Sequence, residues 1–355
     1  MKKHNFSAGP SILPDSVFKE ASAAVLDFNN AGLSLLEMSH RSKDFVAVMD
    51  EARSLSLELL GLENIGYQAL FLQGGASMQF VMLAQNLLEN KAAYLNTGTW
   101  ANNAIKEAKF FGEVVEVASS KDKNFNYIPK NYEIPADVDY FHCTSNNTIF
   151  GTQIKDFPKT NVPMICDMSS DIFSRAIDFS QFDLIYAGAQ KNMGPAGTTL
   201  VIIRENILGK VSRAIPNILN YSSHIDKESM YNTPSVFAVY VSMLTLKWLK
   251  AKGGVTAIET ENNKKAELLY NEIDRNSLFD GFVTRFEDRS PMNATFNLTE
   301  ESSKELFEKL LKEAGISGLN GHRSVGGYRA SMYNAMPLES VQVLVDVMQE
   351  LENRI

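Results

Sequence analysis

Cysteine is almost absent: Cys143 and Cys166 are the only two in 355 residues, and each lies inside an apolar run. Two thiols in so long a chain give no disulfide framework and point to a reduced compartment. They cannot form a four-cysteine metal site, and no metal is expected. Dense runs of Lys and Arg are also missing and the formal net charge is -8, so nothing tracks a phosphate backbone and nucleic-acid binding is not expected. No segment offers about 20 uninterrupted apolar residues to span a bilayer. The start, Met1-Lys2-Lys3-His4-Asn5-Phe6, lacks the apolar stretch of a secretory signal. A cytoplasmic protein without membrane contact is expected. Internal repeats and low-complexity tracts are missing as well.

What remains is ordinary globular composition, 45% hydrophobic and 21% charged, in a chain long enough for two domains of unequal size. Phe6-Ser7-Ala8-Gly9-Pro10-Ser11 reads as a turn-rich arm, and Pro14-Asp15-Ser16-Val17 begins a helical pattern towards Asp27. A second helix spans Asp44 to Leu60, stopped by Gly61. Short apolar runs then alternate with amphipathic stretches: Gln68 to Leu72, a helix from Ser77, Ala92 to Leu95, a helix from Trp100, Val114 to Val117, Tyr140 to Cys143, Met164 to Cys166, Leu184 to Ala187 and Thr199 to Ile203. This alternation predicts an α/β layer on a mainly parallel sheet. A helix from Ser235 to Ala251 breaks at Gly253-Gly254, and a polar helix runs from Thr256 through Ile273. Strands at Thr295 to Leu298 and Gly326 to Met332, with helices at Ser302 to Glu313 and Ser340 to Glu352, predict a smaller α+β unit. The expected division is an arm over 1–14, a large domain over 15–254 and a small domain over 255–355.

Chemistry is concentrated in Ile185-Tyr186-Ala187-Gly188-Ala189-Gln190-Lys191-Asn192-Met193-Gly194-Pro195-Ala196-Gly197, where a lysine follows an apolar strand inside a glycine-rich turn. Such a lysine either snorkels to solvent or is used for its amine, and this segment alone leaves both open. Upstream, Val162-Pro163-Met164-Ile165-Cys166-Asp167 is an apolar run ending on an acid, at the strand end where α/β sheets gather ligands. A pyridoxal-phosphate enzyme needs a Schiff-base lysine and a carboxylate that keeps the pyridine nitrogen protonated; Lys191 and Asp167 suit those roles. A helix N-cap or Asx turn is the ordinary alternative for Asp167. Gln73-Gly74-Gly75-Ala76-Ser77 supplies a strand-to-helix turn with free N–H groups for a phosphate, or simply a turn. Thr97-Gly98-Thr99-Trp100 repeats that pattern and sets a tryptophan at the next helix start, either to stack on a ring or to fill core.

Together these segments resemble the phosphoserine aminotransferases, a class V family of the fold-type I pyridoxal-phosphate enzymes. The resemblance runs nearly end to end, through Phe6-Ser7-Ala8-Gly9-Pro10, Glu37-Met38-Ser39-His40-Arg41-Ser42, Phe71-Leu72-Gln73-Gly74-Gly75-Ala76, Tyr186-Ala187-Gly188-Ala189-Gln190-Lys191-Asn192 and the stretch from Gly321 to Ala335. It implies the corresponding α/β fold, with a smaller α+β C-terminal domain. It also implies pyridoxal 5'-phosphate as cofactor and transfer of an amino group from L-glutamate to 3-phosphohydroxypyruvate.

By the same resemblance Lys191 carries the cofactor and, once freed, moves the proton at the substrate α-carbon. Asp167 pairs with the ring nitrogen and Trp100 stacks on the ring. Ala76 and Ser77 hold the phosphate, while Thr148 and Gln190 bond the ring's phenolic side or the phosphate. Asn232 and Thr233 reach the phosphate in the neighbouring subunit, which implies a homodimer; Asn232-Thr233-Pro234 also reads as a helix-initiating turn. His40, Arg41, His322, Arg323 and Arg329 match substrate-binding positions, with Arg329 anchoring the α-carboxylate, since an arginine fork suits carboxylate and phosphate alike. One departure is Ser77, where some members carry arginine.

The rivals are weaker. An alanine-glyoxylate type aminotransferase shares the fold, as does a cysteine desulfurase, but the latter needs a reactive thiol on a mobile loop and both cysteines lie in expected strands. A catalytically silent binding protein would not need Asp167 and Lys191. No G-x-G-x-x-G follows the early strands, which argues against a dinucleotide-dependent dehydrogenase. Whether the phosphorylated hydroxythreonine precursor of vitamin B6 is a second substrate is not written in these residues.

Overall fold

The computed structural model describes residues 2–355. The chain opens with β1 (His4–Asn5) and α1 (Asp15–Leu26), whose first turn holds Asp15 where a carboxylate favours the positive helix end. In α2 (Lys43–Leu60) the Ser42 hydroxyl caps the start by accepting the Phe45 N–H at 3.3 Å, and Gly61, at φ 67°, ends it in the left-handed conformation.

The expected α/β layer follows as β2 (Tyr67–Leu72), α3 (Gly75–Leu87), β3 (Lys91–Asn96), α4 (Thr99–Ala108), β4 (Glu113–Ser119), β5 (Phe141–Thr144), β6 (Met164–Asp167), β7 (Leu184–Gly188) and β8 (Thr199–Arg204). These strands form one seven-stranded sheet of order β2-β8-β7-β6-β5-β3-β4. Only β8 runs against its neighbours β2 and β7; the other pairs are parallel. Because both faces are covered, the central strands are apolar along their length instead of alternating with polar residues. Leu184 and Tyr186 join a core with Ile165, Tyr94 and Phe80, whereas Ile185 and Ala187 point to the opposite core with Cys166, Phe45 and Met49.

The chain then adds α5 (Tyr221–Asp226) and α6 (Val236–Ala251), the latter packed on α1 and α2. After the left-handed Gly253 come α7 (Gly254–Arg275), β9 (Phe279–Gly281), β10 (Asn293–Leu298), α8 (Lys304–Glu313), β11 (Ile316–Ser317), β12 (Tyr328–Ser331) and α9 (Leu338–Arg354). A three-stranded antiparallel sheet of order β12-β10-β9 backs a further core containing Leu269, Phe296, Phe307, Leu344 and Met348. The sequence reading missed β9, which is only three residues long and ends in glycine. It also began the last strand too early: Gly326 and Gly327 both have positive φ, which a strand cannot continue through, so β12 starts at Tyr328.

The arm is pinned at both ends of its run. β1 pairs in parallel with β11, Phe6 is fully buried in the further core, and the Tyr333 hydroxyl donates to the Ala8 carbonyl at 2.8 Å. Ser11 then donates its N–H to the Gln190 carbonyl at 3.0 Å. Among the described residues no helix is long and apolar enough to cross a membrane.

Candidate active site

The carboxyl ends of β3, β5, β6 and β7 open on one side of the sheet, and the turn after β7 brings Lys191 to them. That turn is closed by Gly194 N–H donating to the Ala189 carbonyl at 2.8 Å and by Ala189 N–H donating to Thr198 at 3.1 Å. The Lys191 ammonium donates to the Thr148 hydroxyl at 2.9 Å and lies 5.7 Å from the centre of the Trp100 ring. Burial pushes its pKa down; Asp167 partly restores it and Arg329 opposes. The result is a lysine amine that is easier to deprotonate than an exposed one, as a nucleophile or base requires.

Asp167 ends β6 and is buried. Its Oδ1 accepts the Ser169 N–H at 2.9 Å, which is the Asx turn of the ordinary alternative, while its second oxygen takes no protein hydrogen bond. The Asx turn therefore leaves one carboxylate oxygen open to a ligand. Burial raises its pKa and the Lys191 charge acts against that rise.

Trp100 sits in the first turn of α4, half-buried, and its indole N–H is buried without a partner. The backbone before it must come close to its neighbours: a Cβ on Gly98 would lie 2.7 Å from the Asn147 side-chain oxygen Oδ1. At the end of β2 the helix start is built in the same manner. Gly74, at φ 96°, would put a Cβ 2.6 Å from that of Met78, so only glycine fits. No acidic residue occupies the first turn of α3 and no side chain caps it, which leaves the N–H groups of Gly75, Ala76 and Ser77 free beside the positive end of the helix. Ala76 is half-buried and Ser77 exposed.

Arg329 lies on β12 in register with Thr295 and donates to the Thr148 carbonyl at 3.2 Å. Its Nε is buried without a partner, and among the described residues no carboxylate pairs with it. His322 is close enough to Arg329 and Arg323 that their charges, after burial, lower its pKa, so this corner is electropositive. Gln190 is half-buried and bound to the arm through its carbonyl.

The structure thus gathers Lys191, Thr148, Trp100, Asp167 and Arg329. It does not join His40, Arg41, Arg323 or Thr233 to them within one chain: none of the four makes a side-chain hydrogen bond or ion pair with that group, and Arg41, Arg323 and Thr233 are exposed. Asn232 is exposed too, donating to the Gln73 side chain at 3.1 Å at the edge of the α3 turn. Cys143 and Cys166 are fully buried on adjoining strands, not on a loop. The sequence reading overlooked Ser169, whose hydroxyl also accepts the Gly188 N–H at 3.2 Å, and Asn192, whose Oδ1 accepts the Asn334 N–H at 2.9 Å. The two-residue spacing from Asp167 was a signal for Ser169; nothing local marked Asn192.

Three features suit a flat aromatic group bearing a phosphate: the half-buried Trp100 ring with its unpaired N–H, the open Asp167 oxygen, and the uncapped start of α3. Comparison with known proteins agrees. The family model described as aminotransferase class-V matches residues 3–344. The phosphoserine aminotransferase of Flavobacterium johnsoniae is 71% identical over all of both chains. Among solved structures, the phosphoserine aminotransferase from Bacillus circulans subsp. alkalophilus superposes with TM-score 0.96 at 44% identity, covering 99% of each chain. The PLP-bound phosphoserine aminotransferase from Trichomonas vaginalis superposes with TM-score 0.93 at 36% identity, covering 98% of this chain and 100% of that one.

Proposed function

The chain belongs to the phosphoserine aminotransferases among the class V aminotransferases, and on that premise we propose that it moves the amino group of L-glutamate to 3-phosphohydroxypyruvate, giving O-phospho-L-serine and 2-oxoglutarate. The cofactor is pyridoxal 5'-phosphate. When bound, it supplies a carbonyl carbon that exchanges amines and a protonated ring that accepts electrons from the substrate α-carbon. The observation that carries the reading is the half-buried Lys191 side chain, its amine held by Thr148 at 2.9 Å beside Trp100 and Asp167 with no carboxylate bonded to it.

From that geometry each side chain has a task. Lys191 holds the cofactor and then takes the proton from the substrate α-carbon; the burial that lowers its pKa makes the free amine more available as a base. Asp167 keeps a proton on the ring nitrogen through the oxygen that the Ser169 turn leaves open. Trp100 covers one ring face. Gly75, Ala76 and Ser77 bind the phosphate with N–H groups and the Ser77 hydroxyl, helped by the helix dipole. Thr148 and Gln190 bond the cofactor's polar edge. Arg329 takes the α-carboxylate, which would satisfy its unpaired Nε.

The second anionic group of either substrate goes to the basic residues His322, Arg323, His40 and Arg41. Of these four and Arg329, His40, His322 and Arg329 are half-buried and Arg41 and Arg323 exposed, an arrangement that suits a site completed by a second copy of the chain. We therefore infer a homodimer in which Asn232 and Thr233 reach the partner's phosphate. The exposed Met78, Ile218 and Tyr231 near the α3 turn support such a surface. The division into 15–254 and 255–355 is supported by the C-terminal core, which apart from Phe6 draws its buried members from residues 266–351. A cytoplasmic location is supported by the free, buried cysteines.

The test is the visible spectrum of the purified protein, with glutamate added, then 3-phosphohydroxypyruvate, while O-phosphoserine is assayed. Bleaching, recovery and product together are expected. Failure to take up pyridoxal phosphate would overturn the reading, and uptake without phosphoserine would leave only the family.

A further inference from the structure

Behind the Asp167–Lys191 pair lies a second buried carboxylate that the proposed chemistry does not use. Asp171 follows Asp167 by one turn, and its side chain is 1% exposed. Oδ1 accepts the Ser145 hydroxyl; Oδ2 accepts Gln153 Nε2 at 3.1 Å and Arg175 Nη2 at 3.0 Å. Both oxygens are therefore engaged by protein donors, so Asp171 is not placed to touch substrate. Ser145 also joins the two acids: its N–H donates to the Asp167 carbonyl at 3.0 Å, and its hydroxyl lies 3.1 Å from that same oxygen. Arg175 is fixed in turn by donating Nη1 to the Ile154 carbonyl at 2.7 Å and by lying over the Phe157 ring.

We propose that Asp171 is a positioning residue for the reaction: a buried carboxylate, clamped by Arg175, Gln153 and Ser145, whose negative charge behind Asp167 helps hold the proton at the Lys191 nitrogen.

A buried ion pair at this place needs a reason, because two apolar residues of similar volume would usually serve stability equally well. The arrangement supplies one. The Asp171 charge favours the protonated form of Lys191, on which it acts beside Asp167, while its hydrogen bonds to Arg175, Gln153 and Ser145 fix it in place. Lys191 also faces Asp167 and Arg329, and Asp171 faces Lys155, Tyr333 and Cys166 in addition to its clamp. Arg329 and burial both pull the Lys191 proton off; Asp167 and Asp171 pull the other way. Asp167 itself is committed to the ring nitrogen, so Asp171 is the acid left free of ligand contact to set the balance. Had the pair served only to brace the turn, removing its charge would leave the proton equilibrium at Lys191 where it is.

This inference rests on Lys191 and Asp167 facing the cofactor, and one spectroscopic experiment separates the two. The holoenzyme is titrated with pH in the absence of substrate, following the visible absorbance of the cofactor held on Lys191. In Asp171→Asn the midpoint is expected to fall by about half a unit or more, the effect of removing one charge from a buried site. The double variant Asp171→Asn/Arg175→Gln replaces the whole ion pair by amides, avoids stranding the guanidinium, and is expected to shift the same way; it carries the test should the single variant not fold. Asp171→Glu, which keeps the charge, should return the midpoint towards that of the parent. A parent protein that shows no lysine-linked absorbance would sink the cofactor reading itself. A parent that titrates normally, with folded amide variants titrating at the same midpoint, would overturn the role of Asp171.

Discussion

Asn334 donates its backbone N–H to the side-chain oxygen of Asn192 at 2.9 Å, so the segment leaving β12 is tied to the residue next to Lys191. The tie is part of a buried knot. Asn262 donates to both the Ser174 carbonyl and the Asn334 side chain, and Asn334 donates to the Phe173 carbonyl. One turn along α7, Lys265 donates to the carbonyls of Met332 and Tyr333 at 3.1 and 2.8 Å. The strand bearing Arg329 and the turn bearing Lys191 are thereby held to each other, and four predictions bear on the parts they hold.

Asn192→Ala leaves the Asn334 N–H buried without an acceptor. A loss of roughly 1–3 kcal/mol in unfolding free energy is expected, measured by urea denaturation. Because Arg329 shifts relative to Lys191, KM for glutamate should rise more than kcat falls; equal effects on both would argue against the coupling.

Lys191→Ala is expected to leave the far-ultraviolet circular dichroism unchanged, abolish the visible absorbance of the lysine-linked cofactor and slow phosphoserine formation by a factor of about 100 or more, the scale of a lost general base. Turnover near that of the parent would remove Lys191 from the mechanism.

Trp100→Leu keeps an apolar side chain in the first turn of α4 but loses the aromatic face. Stacking of this kind is worth about 0.5–1.5 kcal/mol beyond area burial, so the dissociation constant for pyridoxal phosphate should rise by about twofold to tenfold. Equilibrium dialysis of the apoprotein reads this directly.

Lys265 is buried, and burial pushes its pKa from 10.5 down to about 7. The unfolded chain binds the proton more tightly than the fold, so this lysine makes stability rise as pH climbs from about 7 to 10.5, and it contributes no further slope outside that window. Lys265→Met removes the titration and both hydrogen bonds. The stability gap between parent and variant should therefore widen on going from about pH 6.5 to about pH 9; a gap that is flat or shrinks would mean that the ammonium stays charged in the fold.

The sequence was most legible where one short segment carries its own pattern. Met164 to Asp167 reads as an apolar strand closing on an acid, and Leu184 to Lys191 as a strand, a glycine and a lysine, because the central strands of a covered parallel sheet are apolar throughout. The helix stops at Gly61 and Gly253 were legible for the same local reason. What escaped depends on residues far apart: Asn192 meets Asn334 across 142 positions, and Ser145 meets Asp171 across 26. No periodicity encodes such meetings. Asp171 and Arg175 stand four apart, a spacing equally common on any solvated helix face, and only their burial sets them apart. The positions matching His40, Arg41 and Thr233 were read from resemblance, and a single chain does not bring them to Lys191.

The stitched arm has a bearing on how the protein is made. Much of the arm is translated long before the residues it docks on: Ala8 waits for Tyr333 across 325 positions, and β1 for β11. The turn holding Gln190 and Lys191 can form once β8 is translated, but its cover over that side cannot be laid down until the C-terminal strands exist. Final assembly around the lysine thus waits on segments translated far apart in time, and the cover over that side closes well after the turn it covers.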